Sequence, residues 1–151
     1  MYLKFIRKHW IAGLVIPLFL VSCRVLLIGA YDQVTDQSIQ KIQTDVATLL
    51  VKIERNFDNN TPADNKYENF KPGYESISGE IESLKIRCNS LPKYKFVAAQ
   101  VNALDSTLTD LEKFHKLGFD SKQEVELVKK TFESEFSSMI ALQNGLKREK
   151  N

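Results

Sequence analysis

Apolar residues recur at steps of three and four along four successive blocks, and nothing else limits the fold of this chain as tightly. In residues 34–57, Ile39, Ile42, Val46, Leu49, Ile53 and Phe57 keep that spacing, which places them on one stripe of a helix. Tyr67, Phe70, Tyr74, Ile77, Ile81, Leu84, Cys88 and Leu91 repeat the pattern. Val97, Val101, Leu104, Leu108 and Leu111 form a third stripe, flanked by Phe114 and with Leu117 near its end. Val128, Phe132, Phe136, Met139, Gln143 and Leu146 form a fourth, with one polar member.

Punctuation between the blocks fits helix chemistry. Asp32, Thr35 and Asp36 crowd the first start, where short acceptors cap free amides and acids favour the helix dipole. Asp58-Asn59-Asn60-Thr61-Pro62 breaks that helix. Thr61, Pro62 and Asp64 then read as a cap, a first-turn proline and a capping-box-like acid that restart the second helix at once. Lys71-Pro72-Gly73 interrupts this block, since an interior proline loses a hydrogen bond and crowds the preceding turn. The stripe keeps its phase across Pro72, so the expectation is one helix, kinked or frayed in its first segment. Leu91-Pro92 marks the next turn, Gly118 a left-handed cap, and Ser121-Lys122-Gln123-Glu124 a capping box ahead of Val125.

Short connections force neighbouring helices to run antiparallel, and similar lengths let them overlap. The expected fold is all-α: an up-down antiparallel bundle of four helices over residues 34–146. Three packed helices with the first splayed as a stalk are the alternative. A charged tail, residues 147–151, follows. About twenty apolar side chains at roughly 1.5–3 kcal/mol each provide gross burial of tens of kcal/mol, enough to order such a chain.

Ahead of the bundle, Lys4, Arg7 and Lys8 precede an uncharged run from Trp10 to Ser22. That run of 13 residues has signal-peptide length and falls short of the roughly 20 needed to span a bilayer. Leu20-Val21-Ser22-Cys23 resembles a bacterial lipobox, which implies cleavage before Cys23 and acylation of its thiol and new N-terminus, with palmitate among the acyl chains. On that reading residues 1–22 are a lipoprotein signal peptide and 23–33 a lipidated tether. The competing reading is an uncleaved signal anchor, because residues 10–31 form an apolar stretch containing only Arg24. Arginine near a helix centre costs about 2.5–3.5 kcal/mol on insertion scales, which Leu, Ile and Val in this number offset. Both readings put the bundle on the extracytoplasmic side, periplasmic or surface, of a cell membrane or outer membrane.

Composition narrows the function. Cleavage would remove three basic residues and no acidic one, taking the formal charge from +2 to −1. A near-neutral domain gives no footing for nucleic acid. Cys88, in a hydrophobic register, reads as a buried small residue. His115 is the only histidine after the leader; Glu112-Lys113-Phe114-His115 has the spacing of di-iron bundles, but those need the motif twice. The expectation for His115 is a surface or helix-end residue, interacting with the dipole of the third helix. Tyr67, Tyr74 and Tyr94 read as core residues with hydroxyls at the solvent edge rather than as a ligand groove. Asn59-Asn60-Thr61 matches a glycosylation sequon but reads as a polar turn. There is no nucleophile elbow, phosphate loop, EF-hand or haem-attachment motif. No enzyme activity, cofactor or metal site is expected.

Two short stretches carry a wider resemblance. Cys23 is followed by Tyr31-Asp32 and Thr35-Asp36, and Leu111-Glu112-Lys113-Phe114-His115-Lys116-Leu117-Gly118-Phe119 comes late in the chain. On these the chain resembles a group of small uncharacterised bacterial lipoproteins, over most of residues 20–146. The resemblance implies a membrane-tethered helical envelope protein and brings no catalytic residue or ligand with it. The expected function is therefore a non-enzymatic interaction or scaffolding module, bound to membrane lipid through acylated Cys23 and to a protein partner. The alternative is a small-molecule-binding or sensor bundle. A binding bundle should show a pocket of convergent polar groups between helices; a scaffold, a filled core and an exposed apolar stripe.

Overall fold

Helix α1 (Gln33–Asp58) begins where the Asp32 carboxylate accepts the Thr35 amide at 2.8 Å, an N-cap that satisfies one of the donors a helix start leaves free. In the computed structural model, which describes residues 29–150, three more helices follow: α2 (Tyr67–Ser90), α3 (Lys95–Leu117) and α4 (Lys122–Lys150). Sequence neighbours pack side by side and α4 closes back on α1, giving an antiparallel four-helix bundle. No strand occurs among the described residues. Because α1 packs against both α2 and α4, it is a full member of the bundle and not a stalk. No helix among the described residues is long and apolar enough to cross a membrane.

The stripes read from the sequence meet at the bundle axis. Ile39, Ile42, Ile53, Ile81, Val97, Val101, Leu104 and Val125 are fully buried, and Phe132, Phe136 and Met139 complete the α4 side. Phe57, Tyr67, Leu91, Phe114 and Val128 pack at the margins. Leu117, past the last core turn of α3, points outward and is 86 % exposed. Helix α4 carries on through Lys147 to Lys150, so most of the charged tail is helical.

Two helix starts differ in outcome. Ser121 caps α4 loosely, its hydroxyl 3.4 Å from the Glu124 amide, while the Glu124 carboxylate accepts the Asp120 amide at 2.9 Å. Thr61 and Pro62, by contrast, do not open α2. Residues Pro62–Asn65 form a separate 3-10 turn, and the Thr61 hydroxyl donates to the Asn56 carbonyl instead of capping. The cause lies in Asn65. Its side-chain amide donates to the Ile53 carbonyl and its side-chain oxygen accepts from Asn56, so the turn closes the end of α1 before α2 starts. Pro72 then lies in the second turn of a continuous α2. Beside it Gly73 faces Leu49, where a Cβ would come within 3.2 Å of the Leu49 Cδ1, so the absence of a side chain lets α1 and α2 approach.

Candidate functional site

One end of the bundle, its base, collects the start of α1, the end of α2, the start of α3 and the last turns of α4. Residues 29–32 arrive there as non-helical chain and are fastened at every step. The Gly29 amide donates to the Lys93 carbonyl at 3.0 Å, and the Tyr94 hydroxyl donates to the Ala30 carbonyl at 2.9 Å. The Tyr31 hydroxyl donates to Asp36 at 2.9 Å, with the Lys147 ammonium 5.7 Å from the Tyr31 ring centre. Arg87 closes the clasp by gripping both oxygens of Asp32, Nε to Oδ2 and Nη2 to Oδ1, each at 2.7 Å. Two parallel charge-assisted bonds fix orientation as well as energy. The guanidinium holds the Asp32 carboxyl well below the usual carboxylate range, and burial pushes the Tyr94 phenol up to about 12. Gly29 is obligatory for this route: a Cβ there would enter the Tyr94 ring and come 2.9 Å from the Pro92 carbonyl oxygen.

The opposite end is organised by His115. It is 1 % exposed, so the surface position expected from sequence is wrong, although it does lie in the last turn of α3. Its Nε2 is 2.8 Å from the Asn65 carbonyl, which can only accept, so Nε2 carries the proton. Nδ1 is then the acceptor for the Tyr74 hydroxyl at 2.9 Å. Tyr74 is correspondingly 1 % exposed, its hydroxyl inside the core and not at the solvent edge. Phe70, Phe119, Tyr67 and Tyr74 surround the imidazole at 5.0–6.1 Å between ring centres. Burial lowers the His115 pKa below its usual value, against the opposing pull of the Asn65 carbonyl. The step Leu108–Leu111–His115 continues the three-four spacing of the α3 stripe, and that phase is the signal that marks His115 as a core residue.

With both ring nitrogens engaged inside the core, His115 joins the Pro62–Asn65 turn, α2 and α3. A groove of about 480 Å³ lies over this joint, bordered by Pro62, Lys66, Tyr67, Lys116 and Phe119. At its edge the Tyr67 hydroxyl donates to Glu112 at 2.6 Å, and Lys116 pairs with the same carboxylate at 2.8 Å.

The larger concavity, about 680 Å³, runs along the outside between α1 and α2. Its floor is Leu49, Phe70, Pro72, Gly73 and Ile77; Lys41, Asp45, Thr48, Lys52, Asn56, Asp64, Asn69 and Ser76 stand along its walls. Signs alternate along those walls, and Lys41 is already paired with Asp45 and Glu80. Such a surface suits a partner with interleaved charges better than a single compact anion.

Of the residues singled out from sequence, Leu20, Val21, Ser22 and Cys23 lie outside the described residues, as does the whole of 1–28. Cys88 is a buried free thiol whose pKa burial raises. The described residues hold no group of three or more His, Cys, Asp or Glu side chains placed to share a metal ion. Sequence reasoning missed Arg87 and Tyr94 as the grips on the chain that follows Cys23, since neither partner pair has a local spacing. No protein-family model, no curated protein and no solved structure matches this chain.

Proposed function

We propose that this protein is a non-enzymatic, lipid-anchored module of the cell envelope that works by protein contact. The basic leader, the Leu20-Val21-Ser22-Cys23 box and the resemblance to small bacterial lipoproteins support the anchor and the extracytoplasmic address. The observation that carries the contact role is the division between inside and outside. Between the helices the axis is filled by buried aliphatic and aromatic side chains, while the two large concavities open outward, one along the α1–α2 flank and one at the His115 end. Recognition of a small molecule favours an enclosed, mostly apolar chamber with few polar groups. Exposed large apolar residues are scattered toward the two ends and form no continuous stripe, so the α1–α2 groove is the contact surface this reading favours.

A second reading rests on the same groove. Its convergent polar walls above an apolar floor fit a small polar ligand held between α1 and α2. Two measurements test these readings. Mass spectrometry of membrane-extracted protein should find an acylated Cys23 as the N-terminus; an intact Met1 would replace the lipoprotein with a signal anchor. A photo-crosslinking residue at Ser76 should yield one discrete protein adduct in the envelope. Failure to do so, with a small molecule co-purifying in native mass spectrometry, would favour the ligand-binding bundle.

A further inference from the structure

The base of the bundle has the most one-sided surface of the described residues. Lys93, Lys95, Lys147 and Arg148 are all exposed there. Against them stands Glu149, while Asp32 is neutralised by Arg87 and Asp36 is nearly buried. Three exposed apolar side chains lie at the same end of the bundle: Val34 at 47 %, Ile86 at 64 % and Phe96 at 55 % exposure stand on turns of α1, α2 and α3 near the base. The other large exposed apolar residues, Leu117 and Leu127, belong to the opposite half. Cations interleaved with an exposed aromatic and two aliphatic residues are the composition of a bilayer-contacting face.

The path of the chain says what covers this face. Gly29 is bonded to Lys93 at the base, and residues 24–28 alone separate it from Cys23. That stretch reaches at most about 20 Å when fully extended. If the leader is retained instead, apolar Val25, Leu26, Leu27 and Ile28 run directly into Gly29 and the base is closer still. On either anchor the tether leaves from the base and not from the His115 end, because the clasp makes residues 29–32 part of the base.

We infer that the base docks on an anionic phospholipid surface, with Lys93, Lys95, Lys147 and Arg148 against headgroup phosphates and Phe96 at the headgroup boundary. The bundle then stands upright and presents its His115 end and its α1–α2 groove away from the bilayer. This rests on the membrane anchor proposed above. Attraction of basic residues to anionic lipid acts over about a Debye length, roughly 8 Å at physiological salt. A tether of at most about 20 Å confines the base near the surface, so that it repeatedly samples that range.

The full chain reconstituted in phosphatidylcholine vesicles, with and without phosphatidylglycerol, tests this. Two single-tryptophan chains are compared, Trp10→Phe with Phe96→Trp and Trp10→Phe with Leu117→Trp, read by quenching from lipids brominated near the headgroup. Position 96 should be quenched strongly in phosphatidylglycerol vesicles and position 117 hardly at all. Each of Lys93→Gln, Lys95→Gln, Lys147→Gln and Arg148→Gln should lower partition of the base onto the anionic surface about fivefold. High salt should weaken quenching at position 96. Equal quenching at the two positions, while the chain still floats with the vesicles, overturns the docking and leaves the anchor intact. Emission at position 96 that is shielded from water but blind to brominated lipid overturns it in favour of a base-to-base dimer. A chain that does not float with vesicles overturns both the anchor and this inference.

Discussion

Arg87 holds Asp32 with both prongs of its guanidinium, and the same carboxylate caps α1 through the Thr35 amide. One side chain thus starts a helix and ties the preceding chain to the end of α2. Asp32→Ala should cost about 1 kcal/mol for the cap alone. It should also release residues 29–31, visible as faster proteolysis in that segment. The pH dependence has a definite sign. Asp32 has a depressed pKa in the folded protein, so its contribution is complete above the ordinary carboxylate value of about 4 and drains away as pH falls below it. Urea unfolding of wild type and Asp32→Asn should differ by a constant amount from neutral pH down to that point. The gap should then narrow; a gap that widens in acid would refute this account of the clasp.

Gly29 tests the clasp from the other side. A methyl group here has nowhere to go, because the Tyr94 ring and the Pro92 carbonyl already occupy the space. Gly29→Ala should therefore break the Gly29–Lys93 and Tyr94–Ala30 hydrogen bonds while leaving the helices folded. Hydrogen exchange is the direct measurement: protection of the residue-29 amide should vanish, and amides in the middle of α1 and α3 should keep theirs. Loss of protection throughout the bundle would mean that residues 29–32 belong to the folding core rather than fastening onto it.

How much of this was legible beforehand depends on how local each interaction is. The four stripes and the Ser121–Glu124 start are written in spacings of three and four, so the bundle follows from the sequence. The 3-10 turn at Pro62–Asn65 does not, because its cause is Asn65 reaching back to Ile53 and Asn56 in α1. Likewise, Arg87 looks like one member of an interleaved charged face, and only the fold brings Asp32 to it across 55 positions. His115 is the intermediate case. Its register was visible, yet its polarity and its place at a helix end favoured the surface. The Tyr74 hydroxyl and the Asn65 carbonyl reverse that preference by satisfying both ring nitrogens inside the core.

That arrangement makes His115 a source of pH-dependent stability. Burial depresses its pKa, so the unfolded chain takes up a proton more readily than the folded one. The stabilisation is complete above the unfolded value of about 6.5 and is lost as pH falls from there toward the lower folded pKa. Among the described residues no carboxylate pairs with the ring: Glu112 on α3 is engaged by Tyr67 and Lys116. His115→Leu should remove this slope and also cost about 2–4 kcal/mol at neutral pH, by stranding the Tyr74 hydroxyl and the Asn65 carbonyl. Thermal melts across pH 5–8 would decide it, and a His115→Leu profile parallel to wild type would assign the slope to other groups.

Gln143 should behave in the opposite way. It occupies a core position of the α4 stripe, is 1 % exposed, and neither polar atom of its side-chain amide has a hydrogen-bond partner among the described residues. A buried amide left unpaired costs about 1–3 kcal/mol, because the water it gave up is not replaced. Methionine has nearly the same shape and length without that cost, and an unbranched side chain fits an irregular gap. Gln143→Met should therefore raise unfolding stability by about 1–3 kcal/mol, seen as a higher midpoint in urea at unchanged slope. A loss of stability would show that the amide is paired in solution, with a bound water as its partner. A polar residue that weakens its own core does earn retention where it disfavours competing registers. The stabilised variant should then show a less uniform helix pairing, detectable as broadened core methyl resonances.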